Sequence, residues 1–141
     1  MTTSSTVRPA VRRRGRPSRR LLGAALMVLL GAWLPWIYTG LGSVAGVRGA
    51  GLWTMYAAVL GLAGALIRRP RLAAGHGAVL AAVAVVLPTW QVVHLVSLVG
   101  FAGWMPGPGL VLTLGGGALA GTAAWTLWVE GSQRDPGGSA G

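Results

Sequence analysis

His94 is the residue of this chain best placed to do chemistry. An imidazole changes charge near neutral pH and can carry a proton. Gln91 lies three residues before it, a spacing that puts both side chains on one face of a helix. Ser97 follows at the same interval, and Pro88 and Thr89 come just before. Thr89, Gln91 and His94 thus form a polar patch in an otherwise apolar run. An ionisable residue in such a run is a functional hypothesis by default: here, a proton-linked or solute-binding patch facing a cavity. The structural reading is an interfacial histidine, or one bonded to a carbonyl that Pro88 frees, and this is the outcome the pattern favours.

General acid–base catalysis needs a second player. The chain has two acids, Glu130 and Asp135, and neither lies near His94 in the sequence. His76 follows an arginine-rich turn at the opposite end of its run, so the two histidines cannot share a metal. Cysteine is absent, which removes thiolate metal sites and disulfides. The sequence therefore predicts no catalytic site, no metal site and no cofactor.

The element that carries His94 is one of four apolar runs between Leu21 and Val129. Of the 141 residues, 53% are hydrophobic and only 10% charged, against about 25% charged in an ordinary globular domain. The first run, Leu21–Ile37, sits at the lower limit for a membrane span, which takes about 20 residues. Tyr38 extends it, with Pro35 in its last turn. Leu52–Ile67 follows a Gly-rich loop and stops at Arg68-Arg69-Pro70-Arg71, because proline disfavours helix in the residue before it. The third run, Leu72–Val99, is weakened early by Gly75 and Gly77 and kinked at Pro88. Pro106-Gly107-Pro108-Gly109 is a strong turn signal before the fourth run. The expected helices cover about 21–38, 52–67, 76–99 and 110–129. Residues 1–20 and 131–141 read as disordered tails.

Charge and aromatics sort to opposite ends of these runs. All the basic charge is arginine, twelve in total. Eleven fall in the tails or the Arg68–Arg71 turn, with Arg19, Arg20, Arg68, Arg69 and Arg71 nearest the runs; Arg48 is the exception. Trp33, Trp36, Trp53, Trp90 and Trp104 mark the other ends. Arginine on the cytoplasmic side and indoles at the opposite interface are what a bilayer imposes. The expected fold is an all-α membrane protein, four transmembrane helices in an antiparallel bundle with both termini cytoplasmic. The expected location is the plasma membrane, multi-pass. Ser18-Arg19-Arg20-Leu21-Leu22 partly resembles a twin-arginine export signal, but the bulky Trp33-to-Tyr38 end suits a retained helix better. Basic flanks attract anionic headgroups by about 1 kcal/mol per residue. The lipid bilayer is the expected partner, with other membrane proteins or further copies of the chain, and no nucleic acid.

Helices in lipid associate through close backbone contact at small residues. Gly61 and Ala65 on the second run, and Gly117 and Gly121 on the fourth, are the expected seams. Gly116, Ala120 and Ala124 form an adjoining stripe.

From Leu21 to Trp128 the pattern resembles small four-helix membrane proteins common in actinobacteria. The shared features are an Arg-rich start, Leu34-Pro35-Trp36 at the outer end of the first helix, a Gly-rich outer loop over Thr39–Gly51, and the Arg68–Arg71 turn. The resemblance implies topology and no activity. Small multidrug exporters also have four short helices, but they depend on a glutamate in the first, where Leu21–Ile37 has no acid. The function expected is therefore that of a non-enzymatic accessory, assembly or envelope-associated protein. The alternative is a small oligomeric transporter or channel lined by the Thr89–His94 patch.

Overall fold

The computed structural model describes residues 16–133. The outer parts of both expected tails lie outside these residues. Four helices dominate: α1 (Arg16–Trp33), α2 (Gly51–Leu66), α3 (Pro70–Val99) and α4 (Pro108–Ser132). Each packs on two neighbours, in the cyclic order α1, α2, α3, α4. A small antiparallel sheet, β1 (Pro35–Thr39), β2 (Gly42–Ala45) and β3 (Trp104–Pro106), closes one end, with strand order β2-β1-β3. The arginines Arg19, Arg20, Arg68, Arg69 and Arg71 gather at the other end.

The helices depart from expectation at their ends. α1 begins at Arg16, within the expected tail, and Pro17 suits its first turn because the missing N–H there has no intrahelical partner. It stops at Trp33 and does not continue to Tyr38. Pro35 disfavours helix at Leu34, and the chain turns into β1. The expected loop over Thr39–Gly51 is a hairpin followed by a 3-10 turn (Gly46–Arg48). Gly42, at φ 137°, makes the hairpin turn that a residue with a side chain rarely adopts. α3 starts at Pro70, ahead of Gly75 and Gly77, which do not interrupt it. α3 and α4 are long and apolar enough to cross a membrane. α2 has 16 residues and α1 includes three arginines in 18. Four equivalent helical spans are therefore not what the chain builds.

The interior is made of small residues. Ala24, Ala25, Ala57, Ala58, Ala73, Ala74, Ala84, Ala120 and Ala123 are buried, with Leu21, Val28, Leu80 and Leu127 as the larger members of the cluster. Glycines let the backbones touch. A Cβ on Gly116 would lie 2.7 Å from Val28 Cγ2 and 3.0 Å from the Ala24 carbonyl oxygen. One on Gly117 would lie 3.0 Å from Ala84 Cβ. Of the expected seams, Gly61 faces Leu80 and Ala25 at close range, while Ala65 is half-buried. Gly121 is looser, since an added Cβ would meet only Ala81 at an ordinary 3.7 Å. The expected adjoining stripe of Gly116, Ala120 and Ala124 is the more buried one.

Most of the large apolar residues are outside. Leu26, Leu30, Leu60, Val79, Val86, Val93, Val111, Trp125 and Trp128 are all exposed on the helix flanks. Overfilling a packed seam costs about 1–3 kcal/mol. Gly116→Leu and Gly117→Leu should each lower the melting temperature in detergent clearly, and Gly121→Leu much less. Equal effects at Gly117 and Gly121 in a thermal-shift measurement would place the α3–α4 seam elsewhere.

Candidate functional site at the sheet end

The sheet end is organised by Trp36. β1 carries a bulge there: Pro35 pairs with Ala45 and Ile37 with Val44, leaving Trp36 as the extra residue. A bulge re-aims a side chain. Here Trp36 and Ile37 are both buried, where a regular strand would alternate them. Trp36 is 1% exposed, so it is not part of the aromatic belt expected of it. Its Nε1–H donates to the Gly31 carbonyl at 2.9 Å, within the buried interior. Its backbone carbonyl accepts from Gly107 N–H at 2.7 Å.

The ring fits because its neighbours lack side chains. A Cβ on Gly46 would run into the indole, and one on Gly109 would lie 2.8 Å from Trp36 Cδ1. Gly31 in turn meets Thr113, whose hydroxyl donates to the Gly109 carbonyl at 2.8 Å. Trp36 thereby joins the end of α1, the sheet and the start of α4. Leu110, Ile37 and half-buried Trp104 complete the cluster, and Trp104 Nε1–H donates to the Gly100 carbonyl at 2.9 Å.

Of the other expected belt residues, Trp104 is half-buried in this cluster and three are on the surface. Trp33, Trp53 and Trp90 are all exposed at this end of the helices, and Trp53 meets Tyr56 edge to face at 6.2 Å.

The polar patch is not brought together. Thr89 is exposed and, five residues from His94, lies about 140° round the helix from it at 100° per residue. His94 is exposed and lies parallel to Trp90, with ring centroids 6.3 Å apart. Among the described residues its ring makes no hydrogen bond; its backbone carbonyl accepts from the Ser97 hydroxyl at 2.7 Å. Gln91 alone turns inward. A Cβ on Gly49 would lie 3.7 Å from its Nε2, and its Oε1 is buried without a hydrogen-bond partner. Sequence reasoning missed the buried role of Trp36. The signal available was the glycine at each position that now surrounds the ring.

At the arginine end, Ser18, Arg68 and Glu130 border a polar concavity together with Ala65, Leu66 and Leu127. The Arg71 stem lies over Gly131 at the end of α4. His76 Nδ1 lies 2.8 Å from the Leu72 carbonyl oxygen, one turn earlier. Among the described residues no group of three histidine, cysteine, aspartate or glutamate residues could hold a metal.

No protein-family model matches this chain, and no curated protein or solved structure matches it. Trp36→Phe removes the donor to Gly31 and orphans a buried carbonyl, a loss of about 1–3 kcal/mol. Trp33→Phe, on the surface, should be close to neutral by thermal unfolding in the same detergent. Equal stability of the two variants would show that the Trp36 hydrogen bond contributes nothing.

Proposed function

We propose that this chain is an integral, multi-pass protein of the plasma membrane that works by binding partners in or beside the bilayer, as an accessory, assembly or envelope-associated protein. The observation that carries the membrane placement is the inverted distribution of side-chain size. The interior is mostly alanine and glycine, with a few larger residues such as Leu21, Val28, Leu80 and Trp36, while most of the leucine, valine and tryptophan side chains face outward. Water would expel such a surface, since soluble monomers rarely expose contiguous apolar patches beyond a few hundred Å². In lipid the outward leucines gain nothing by burial, and helices hold together through close van der Waals contact.

The short first helix fits this placement. The apolar part of α1, Leu21–Trp33, rises about 20 Å at 1.5 Å per residue. A hydrocarbon core is about 30 Å deep; a shorter span is accommodated by local thinning and by flanking residues that reach the interface, here Arg19 and Arg20 before it. An open strand edge is not tolerated in lipid. The sheet therefore belongs at the interface, with the exposed tryptophans around it. The arginine end faces the cytoplasm by the positive-inside rule, and the sheet end faces out. The divergent directions of Thr89, Gln91 and His94 favour a binding role over a transport path.

Alkaline-phosphatase fusions after Gly46 and Gly107 should be active, and fusions after Pro70 and Ser132 inactive. Activity after Pro70 would overturn the topology, and release of the chain from membranes by alkaline carbonate would overturn the membrane placement itself.

A further inference from the structure

The groove between α1 and α4 is filled toward mid-bundle and empty at the arginine end. Arg19, Gly23 and Met27 are spaced four apart and follow one stripe of α1. Leu119 and Gly115 are spaced the same way on α4. At the inner step Met27 covers Gly115: a Cβ on that glycine would lie 3.6 Å from Met27 Cε. One turn nearer the arginines, Gly23 supplies no side chain, and a Cβ added to it would meet nothing within 4 Å. The result is a notch lined by Gly23, Leu119 and two arginines, Arg19 and Arg20. It offers about 570 Å³. One water takes about 30 Å³, so the notch admits a group of many atoms and not just a single small ion.

Whatever fills the notch must answer two positive charges. Among the described residues neither Arg19 nor Arg20 has a hydrogen bond or an ion pair. Both lie at the start of α1, whose first turn holds no acid. A helix N-terminus carries partial positive charge, so the helix and both guanidiniums favour an anion together. Glu130, the one acid among the described residues, borders the other concavity with Arg68. Guanidinium donors match phosphate oxygens in pairs. Beneath the charges the lining is apolar, Gly23 and Leu119. A free phosphate would meet the arginines and leave that lining bare. A phospholipid satisfies both, with its phosphate at the rim and its glycerol and first methylenes over Gly23. A choline or ethanolamine head would bring a cation that the second arginine repels, so the head must be net negative.

We infer that the α1–α4 notch binds one anionic phospholipid of the cytoplasmic leaflet, its phosphate held by Arg19 and Arg20 and its glycerol seated on Gly23. The inference rests on the membrane placement and orientation above. The test uses the full chain in phosphatidylcholine nanodiscs doped with phosphatidylglycerol that bears a diazirine near the carbonyl end of one acyl chain. Photoadducts, mapped by peptide mass spectrometry, should concentrate between Gly23 and Met27 and around Leu119. A phosphatidylcholine probe with the same chain should label there severalfold less. Arg19→Gln and Arg20→Gln should each lower the phosphatidylglycerol labelling severalfold. Arg69→Gln removes the same charge from the same end of the bundle and should leave it unchanged. Gly23→Leu keeps both arginines but fills the notch; it should lower the labelling as much, with the melting temperature unchanged. A drop in melting temperature would show that the notch is not open, against the site. Equal losses in Arg69→Gln and Arg19→Gln, or parental labelling in Gly23→Leu, would reduce the attraction to diffuse surface charge and overturn the site. Equal labelling by the two head groups would overturn the anionic assignment. Loss of the adducts to excess glycerol phosphate would assign the notch to a soluble phosphate and overturn the lipid. Absence of localised adducts in a chain that resists carbonate extraction would sink the lipid site and leave the membrane placement standing.

Discussion

Close approach of backbones is the constraint on which the rest of this structure depends. With an interior of alanine and glycine there is little side-chain volume to fill a gap between helices. Gly31, Gly61, Gly116 and Gly117 each occupy points where a single methyl group would collide with a neighbouring helix. Dispersion energy falls steeply with separation, so small residues gain cohesion only when the helices are almost in contact. Many of the larger apolar side chains are left on the outside of the bundle. The buried threonines obey the same economy of space: Thr54 and Thr113 turn their hydroxyls back onto carbonyls of their own helices, at 2.7 Å and 2.8 Å.

Trp36 is the exception that fixes the ends. It is the largest buried side chain, and it lies where α1 stops and α4 begins. Its indole N–H satisfies the Gly31 carbonyl in the last turns of α1. Helix ends leave carbonyls without intrahelical partners, and in a low-dielectric setting an unmet carbonyl is costly. The bulge that turns Trp36 inward also lets the Gly107 N–H reach its backbone. One residue thereby sets the end of α1, the position of the sheet and the start of α4. α2 and α3 have no such clamp across the sheet end of their seam, and an apolar cleft opens between them there.

The polar residues follow from this packing. Gln91 is turned toward the Gly49 backbone. Thr89 and His94 are left on the flank, the latter against Trp90. This end therefore presents aromatic surface and a few hydrogen-bonding groups.

Much of this was readable along the chain. The four apolar stretches, the stop before Pro70, and the separation of arginine from most tryptophans are local properties, set by proline sterics and by the charge of single residues; the stop ahead of Pro35 was not foreseen, since the first run was expected to continue to Tyr38. The rotation of each helix was not readable. Both faces of α3 are apolar, so no amphipathic pattern told which residues point inward, and the choice of Gly116 and Ala120 over Gly121 fell to the fit against α1 and α3. The sheet was hidden for a related reason. Its strands are three to five residues long, too short for an alternating pattern to stand out. β1 also pairs with β3 across an intervening stretch that contains α2 and α3. Tertiary structure alone turned Trp36 from an interfacial tryptophan into a core residue, because only the assembled backbones leave a space shaped for an indole.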